Sequence, residues 1–303
     1  MALNEIKVLN DNSETSTDLE FKPVTGTDLG AGKTGLDVAM IGDTRVTQAI
    51  NQILGTTGDT VSVQKKAKSL FKFGHSEQVQ SGQYCTLMDL PTGTYNEVYL
   101  TDNLITTISS ASAADTQVVQ VEGHTLAGGN FTFVTQEVTL TGQTQASLGT
   151  PLARCTRFYN KGSVDFAGDI YVYEDDTSAA GVPDTDAGVH CMLYAVNATN
   201  QSLKCSTTLS SQDYWIVTQA FAAINQKAGS PIAEVRIEIR EYGGVFRTAG
   251  IATISTGGGP WTGFSFDPAI IVPKNADIRM RAKGSANGLN ISGWFNGYLA
   301  IVL

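Results

Sequence analysis

A short glycine-rich segment, Gly30-Ala31-Gly32-Lys33-Thr34, has the residue types that can wrap a phosphate group. A phosphate loop places its first glycine five positions before the glycine that precedes lysine, because its backbone N–H groups must surround the phosphate. That position holds Thr27, and Gly26 misses it by one residue. The flanking residues also lack the strand and helix patterns that a phosphate loop needs. We interpret the segment as a flexible glycine-rich stretch and expect no nucleotide site.

The three histidines are the next residues that could do chemistry, as general bases or metal ligands. They are His75, His124 and His190, and no two of them have the close spacing of a metal-binding pair. The chain has no Gly-x-Ser-x-Gly segment, and in a serine-rich chain a Ser–His–Asp combination is no signal by itself. We expect histidines on the surface or in turns, no catalytic residue and no enzyme activity.

The densest group of carboxylates is Glu174-Asp175-Asp176, followed by Asp184 and Asp186. Oxygen ligands on a loop can hold Ca²⁺, but this spacing fits no EF-hand. The composition favours a solvated acidic turn, with calcium binding as the alternative. We therefore expect no metal and no cofactor.

The four cysteines are Cys85, Cys155, Cys191 and Cys205, and the nearest two are 14 positions apart. This spacing excludes a Cys-x-x-Cys pair and a zinc knuckle. The first residues lack the charged and apolar regions of a secretory signal, so we expect synthesis and assembly in the cytoplasm. Thiols stay reduced there, which favours four free, mostly buried cysteines. A Cys191–Cys205 bridge is the alternative.

Three tryptophans, Trp215, Trp261 and Trp294, could serve as flat platforms for sugar rings. Each lies beside strand-like residues, so positions in the core are favoured. Paired carboxylates for glycoside hydrolysis would need a cleft between them, which sequence alone does not define.

The composition limits the classes of partner. The chain has 303 residues, a formal net charge of −9 and a pI near 4.8, and only 16% of its residues are charged. Nucleic-acid surfaces need clustered lysine and arginine, so we expect no nucleic-acid partner. No apolar run reaches the roughly 20 residues that span a bilayer, and no basic amphipathic segment is present, so we expect no membrane partner.

Alternation with period two identifies the elements that would position any site. In Glu234–Glu241 and again in Ile278–Lys283, apolar residues alternate with charged ones, which predicts strands with one buried face. If the two strands are neighbours, ion pairs should form between them. The expected pairs join Glu234 and Glu238 to Arg279 and Arg281. The apolar segment Gly293–Leu303 is predicted to be a strand tied into a sheet.

We predict a mainly β fold, with two antiparallel β-sandwich or jelly-roll-like domains preceded by an extended N-terminal arm and a short helix. The predicted divisions are residues 1–68 (an arm over 1–42 and a helix near 44–54), a β domain over 69–176, a loop over 174–188 and a C-terminal β-sandwich over 189–303. The helix prediction depends on the apolar face that begins at Val46 and on Gly55 as its end. A flexible tail without a partner is the alternative for the acidic arm.

A group of segments carries a family resemblance. They are Phe158–Tyr173, Gly123–Thr150 with its core Glu137–Thr144, Tyr214–Thr218, Gly243–Arg247, Phe266–Pro268, Ile271–Arg281 and Phe295–Tyr298. Together they resemble virion structural proteins of tailed bacteriophages, over residues 69–303. The resemblance implies a capsid cement or decoration protein, a head accessory protein whose β-sandwich domains form a homotrimer on the major capsid protein, at the exterior of the virion.

The resemblance also implies a mechanical role, in which the protein bridges capsid subunits and stabilises the head. Within that role we expect the arm, residues 1–42, and the loop Glu174–Gly188 to make the contacts. The alternative is a tail or head fibre, or another receptor-binding protein, that recognises host surface glycan. A polysaccharide depolymerase or esterase is a third hypothesis, which no nucleophile motif supports.

Overall fold

The computed structural model describes residues 3–6, 21–24, 66–174, 177–225, 230–257 and 261–301. The chain divides into two units, Met1–Gly42 and Asp43–Leu303. In the first unit, strand β1 (Leu3–Ile6) pairs antiparallel with β2 (Phe21–Val24). The remainder of the predicted arm, and the helix predicted near 44–54, lie outside the described residues.

The second unit is built of antiparallel strands, which confirms the predicted mainly β fold. In chain order its described strands are β3 (Lys66–Val79), β4 (Cys85–Thr86), β5 (Ile105–Ser110), β6 (Val118–Ala127), β7 (Asn130–Thr139), β8 (Ala146–Leu152), β9 (Arg154–Asn160), β10 (Ile170–Glu174), β11 (Ser178–Ala179), β12 (Val182–Pro183), β13 (Val189–Leu193), β14 (Ser206–Thr208), β15 (Asp213–Ile224), β16 (Ile232–Glu241), β17 (Arg247–Ser255), β18 (Trp261–Val272), β19 (Ala276–Gly284) and β20 (Leu289–Ile301). Two short 3₁₀ helices cover Asp186–Gly188 and Ala195–Asn197.

Two sheets form the body that we call the large sandwich. One sheet has the order β18-β15-β20-β3, and the other has the order β14-β19-β16-β17 with β4 also on β19. Their inner faces share one core, which includes Trp215, Val235, Ile237, Met280 and Phe295, all fully buried. The alternation in β16 and β19 correctly predicts strands with one buried face, because every second side chain enters this core.

The register of β16 and β19 tests the expected ion pairs. Glu238 lies opposite Arg279, and their side chains are 2.8 Å apart, which confirms that pair. Arg281 also approaches Glu238, at 3.7 Å. Glu234, however, lies opposite Lys283 and bonds to Arg236 of its own strand. The predicted pairing is correct for one glutamate and displaced for the other.

Two smaller sheets form the body that we call the small sandwich. Their orders are β13-β10-β5-β8 and β7-β6-β9. The core between them includes Ile105, Leu152, Phe158, Ile170 and Leu193. Strands β6 and β7 form a hairpin across the turn at Gly128 and Gly129, with pairing from Val118 and Thr139 to Ala127 and Asn130.

The strand pairing does not follow the predicted divisions of the chain. Strands β3 and β4, which precede the small sandwich, pair with β20 and β19 of the large one. Strand β13, which follows the loop 174–188, pairs with β10 before that loop. The loop is thus a connection within one sheet, and the small sandwich is inserted between two parts of the large one. Long-range pairing of this kind leaves no local signal in sequence.

Candidate functional site

A row of buried ionic contacts, the ionic seam, joins the two sandwiches. Its first centre is the carboxylate of Asp277 on β19, which is fully buried. Arg154 Nε, on β9 of the small sandwich, donates to Asp277 Oδ1 at 3.1 Å, and Arg240 Nε donates to Oδ2 at 2.9 Å. Thr208 Oγ1 donates to Oδ1 at 2.6 Å. One carboxylate therefore holds an arginine from each sandwich, in an environment where separating the charges is costly.

The second centre of the seam is the buried pair Lys204–Glu97, with 2.6 Å between Nζ and Oε1. Lys204 Nζ also donates to two carbonyl oxygens of the small sandwich, that of Cys155 on β9 at 2.6 Å and that of His190 on β13 at 3.1 Å. The second carboxylate oxygen of Glu97 accepts from Ser206 at 2.7 Å. The lysine thus has a partner for its charge and for its donors, which is what burial of an ammonium requires.

Lys72 on β3 completes the seam, since its ammonium donates to the carbonyl oxygen of Thr156 on β9. Burial, and the nearby charge of Lys204, lower the pKa of Lys72 to about 8. For Lys204 burial opposes the charged form, but Glu97 outweighs it and raises the pKa. The buried Lys204 and the half-buried Lys72 therefore differ because only Lys204 has a carboxylate partner.

All four cysteines are free and buried, which confirms the prediction of free, mostly buried cysteines, and the alternative Cys191–Cys205 bridge is not formed. Cys155 and Cys191 are hydrogen-bonded to one another beside the seam. Burial opposes ionisation of Cys191, but the hydrogen bond with Cys155 and the charge of Lys204 outweigh it and lower its pKa to about 7. Because both thiols are sealed in the core, this shift does not make a reactive surface nucleophile.

The histidines are buried, which corrects the expectation that they lie on the surface or in turns. Each lies on a strand, His75 on the outer side of its sheet, and neighbouring side chains cover it. His190 Nε2 is 3.0 Å from Glu174 Oε1, and His124 packs against Phe131 and Phe133. Burial lowers the pKa of all three rings, that of His124 to about 3. Each ring is therefore neutral at neutral pH.

His75 and Ser292 form the nearest approach to a catalytic pair among the described residues. His75 Nδ1 lies 2.9 Å from Ser292 Oγ, and His75 Nε2 lies 3.7 Å from Glu77, beyond hydrogen-bonding distance. The two residues face each other on β3 and β20, and β20 is paired on both sides. Backbone N–H groups committed to a ladder cannot form an oxyanion hole. The pair is thus a cross-strand hydrogen bond, not a nucleophile and its base.

Part of the predicted acidic loop forms a short β-hairpin, whose strands β11 and β12 have two residues each. Its turn residues Ala180 and Gly181 have φ of 51° and 78°, as a type I′ turn requires. A side chain on Gly181 would overlap the carbonyl oxygen of Ser110, so the hairpin packs closely on the end of β5. Within the part of the chain that the structure describes, no group of three or more His, Cys, Asp or Glu could hold a metal ion. Asp175 and Asp176 lie outside that part.

Beside this hairpin, the end of the small sandwich has an open depression of about 700 Å³, the tip depression. It is lined by Ala111, Ser112, Ala113, Gln143, Phe166, Ala167, Gly168, Asp169, Ala195 and Val196. Small residues predominate, and Val196 at its rim is 85% exposed.

The outer side of the β18-β15-β20-β3 sheet is the second exposed surface, which we call the aromatic face. Register sets its middle row as Gly263, Phe221, Trp294 and Phe73, one residue from each strand in order. Phe221 and Trp294 stack with centroids 5.1 Å apart, and Phe73 lies next to Trp294. A Cβ on Gly263 would collide with the Phe221 ring, so glycine lets that ring lie flat.

The rows on either side extend the aromatic face. One row is Trp261, Ala223, Ser292 and His75, and the other is Ser265, Gln219, Asn296 and Phe71. The outermost aromatics, Trp261 and Phe71, are 64% and 59% exposed. A shallow depression of about 360 Å³ adjoins the second row and is bordered by Phe71, Gln219, Asn296 and Tyr298 among others.

The tryptophans test the expectation of core positions. Trp215 is fully buried, as expected. Trp261 and Trp294 point outward, so for them the core interpretation is wrong. Parity could have indicated this for Trp294, because it alternates with Phe295, which enters the core. The alignment of aromatics over four strands could not be foreseen, since it depends on register.

No family model matches this chain, and no curated protein matches it. Among solved structures, it matches infectious bursal disease virus, Gx strain, with a TM-score of 0.23 and 7% identity, over 84% of this chain and 77% of that one. The match to the VP2 subviral particle of that virus has a TM-score of 0.20 and 8% identity, over 85% of this chain and 77% of that one. The match to its T13 viral particle has a TM-score of 0.21 and 9% identity, over 86% of this chain and 78% of that one. Similarity at these TM-scores does not establish a family or a function. No described helix is long and apolar enough to cross a membrane.

Proposed function

We propose that this chain is a structural protein of a virus particle, of the cement or decoration kind found on tailed-phage heads. In this proposal it forms a homotrimer on the exterior of the virion, binds the major capsid protein and stabilises the head. It works through contacts and carries out no reaction, and neither nucleic acid nor membrane is a partner.

The observation that carries the proposal is the ionic seam. Within the described residues, three basic side chains of the seam link the two β-sandwiches: Arg154 bonds to Asp277, Lys204 to Glu97 and to a carbonyl of the small sandwich, and Lys72 to a backbone carbonyl. Enzymes arrange such groups around a cleft, where substrate can reach them. Here they are sealed between two bodies, which favours a stiff adaptor that transmits load. The resemblance of residues 69–303 to phage virion proteins supports the same role.

Attachment in this proposal uses the arm, residues 1–42, and the tip depression beside the hairpin β11–β12. The depression offers small side chains and open space, so an inserted segment of the major capsid protein would meet little steric resistance. An interface of this kind usually buries more than roughly 1,000 Å² in total, and the proposal assigns that area to both contact regions.

Counting copies on purified particles tests the proposal. Quantitative mass spectrometry should find this chain at a copy number within a small factor of the major capsid protein. A copy number typical of a tail component would contradict a cement role. It would favour the second candidate, a fibre or receptor-binding protein, which the exposed aromatic face independently supports.

A further inference from the structure

We infer that the aromatic face is a binding site for a neutral glycan. It is formed by the three rows of four residues described above, on the outer side of the β18-β15-β20-β3 sheet. This inference does not depend on how the protein is attached to a particle. It stands on three observations: the absence of charge, the arrangement of rings and the unpaired amides.

The first observation is that the twelve positions of the face contain no Asp, Glu, Lys or Arg. His75 adds no charge, because burial lowers its pKa. The outer side of the opposite sheet is the reverse, since β16 and β19 place Glu234, Arg236, Glu238 and Arg279 there. A neutral polyol needs no charged partner, so the uncharged face is compatible with one. The cores of protein interfaces are also poor in charge, and the choice between the two therefore depends on the rings and the amides.

The second observation is the geometry of the rings. Four strands lie side by side, so three interstrand intervals give a row about 14 Å long. Phe221 and Trp294 are stacked with an interplanar angle of 17°, and Phe73 continues the row. Because Phe221 and Trp294 cover part of each other's faces, the free ring surfaces against which the C–H groups of a pyranose can pack belong mainly to the exposed Trp261 and Phe71. Trp261 and Phe71 stand at opposite corners and would border the ligand.

The third observation is the pair of amides beside the rings. Gln219 and Asn296 lie opposite each other on β15 and β20 and border the 360 Å³ depression. Their side-chain amides form no hydrogen bond with any residue in the described part of the chain. An amide offers both donors and an acceptor, which suits a sugar hydroxyl that also does both. Aromatic surface next to unpaired amides is the chemistry that distinguishes a glycan site from a plain apolar contact.

Isothermal titration of the whole protein with maltohexaose, cellohexaose and chitohexaose, together with a printed panel of neutral glycans, tests the inference. We expect saturable binding of at least one probe. Trp261→Ala and Phe71→Ala should each weaken binding about tenfold, equivalent to about 1.4 kcal/mol, because each removes one stacking surface. Both side chains are mostly exposed, so both variants should fold. Val245→Ala, at a 74% exposed position away from the face, is the control and should bind normally.

Two results would overturn the inference. One is the absence of saturable binding to every neutral probe. The other is a smaller oligomer of Trp261→Ala in sedimentation velocity, which would assign the face to contacts between copies of the chain. Binding should also persist at high salt, because no charge pair is involved. A failure of the glycan inference can be distinguished from a failure of the proposed function, because the proposed function is tested by the copy number on particles.

Discussion

Asp277 receives hydrogen bonds from Arg154, Arg240 and Thr208 and has no exposed surface. Replacing it by asparagine leaves two arginines without a counter-charge between the sandwiches. Because removing one partner of a buried pair is strongly destabilising, Asp277→Asn should lower the free energy of unfolding by about 3–5 kcal/mol. Urea denaturation measures this change.

The control for that variant is Glu137→Gln, which breaks the solvent-exposed pair between Glu137 and Lys161. Exposed pairs contribute little, so the urea midpoint should not move measurably. Equal effects of the two substitutions would show that the seam contributes no more than a surface ion pair.

Asp89 is a buried carboxyl whose two oxygens have no hydrogen-bond partner among the described residues. Burial, together with Glu77, Cys191 and Asp169, raises its pKa from 3.8 to about 8. The folded protein keeps this proton up to about pH 8, whereas the unfolded chain releases it near pH 4. The contribution of Asp89 to the free energy of unfolding is therefore fully present below pH 4 and is lost as the pH rises to about 8.

Asp89→Asn should remove this pH dependence. Its free energy of unfolding should equal that of the unmodified protein at pH 4 and exceed it at pH 8, with an upper limit of about 1.4 kcal/mol per pH unit between them. Urea titrations at both pH values provide the measurement, and Asp102→Asn, at an exposed position, is the control. If Asp89→Asn were less stable than the unmodified protein at pH 8, the conclusion that Asp89 is buried without a partner would be wrong.

At the scale of elements, β3 is tightly packed at Gly74, where it pairs with β20. A Cβ on Gly74 would lie under 3.0 Å from the backbone of Cys205 and Leu87. Gly74→Ala should therefore destabilise the protein by at least ~2 kcal/mol through overpacking, measured as a lower urea midpoint. Gly82→Ala meets no atom within 4 Å and should leave the midpoint nearly unchanged. Similar midpoints for both would contradict the close packing of β3.

The sequence predicts strands better than their partners. Alternation in β16 and β19 identifies both strands and the Glu238–Arg279 pair, because period two is a local property. It cannot place Glu234, since one step in register changes the partner. Nor can it pair β3 with β20, because those strands lie more than 200 positions apart in the chain. The aromatic face escapes prediction for the same reason.

At the scale of the whole molecule, the seam should make the two sandwiches unfold together. Hydrogen exchange followed by mass spectrometry, at increasing urea, can report separately on β6 in the small sandwich and β15 in the large one. We expect the slowest amides of both strands to open with the same free energy. Opening of the small sandwich at lower urea would contradict a single rigid body.

The most direct test of the central claim, that the protein stabilises a head from its outer surface, is cryo-electron microscopy of purified particles that contain this chain. The account predicts density for the two-sandwich body in groups of three, repeated over the outer surface of the head and touching the major capsid protein. Density for the chain only at a tail or fibre tip would contradict the account.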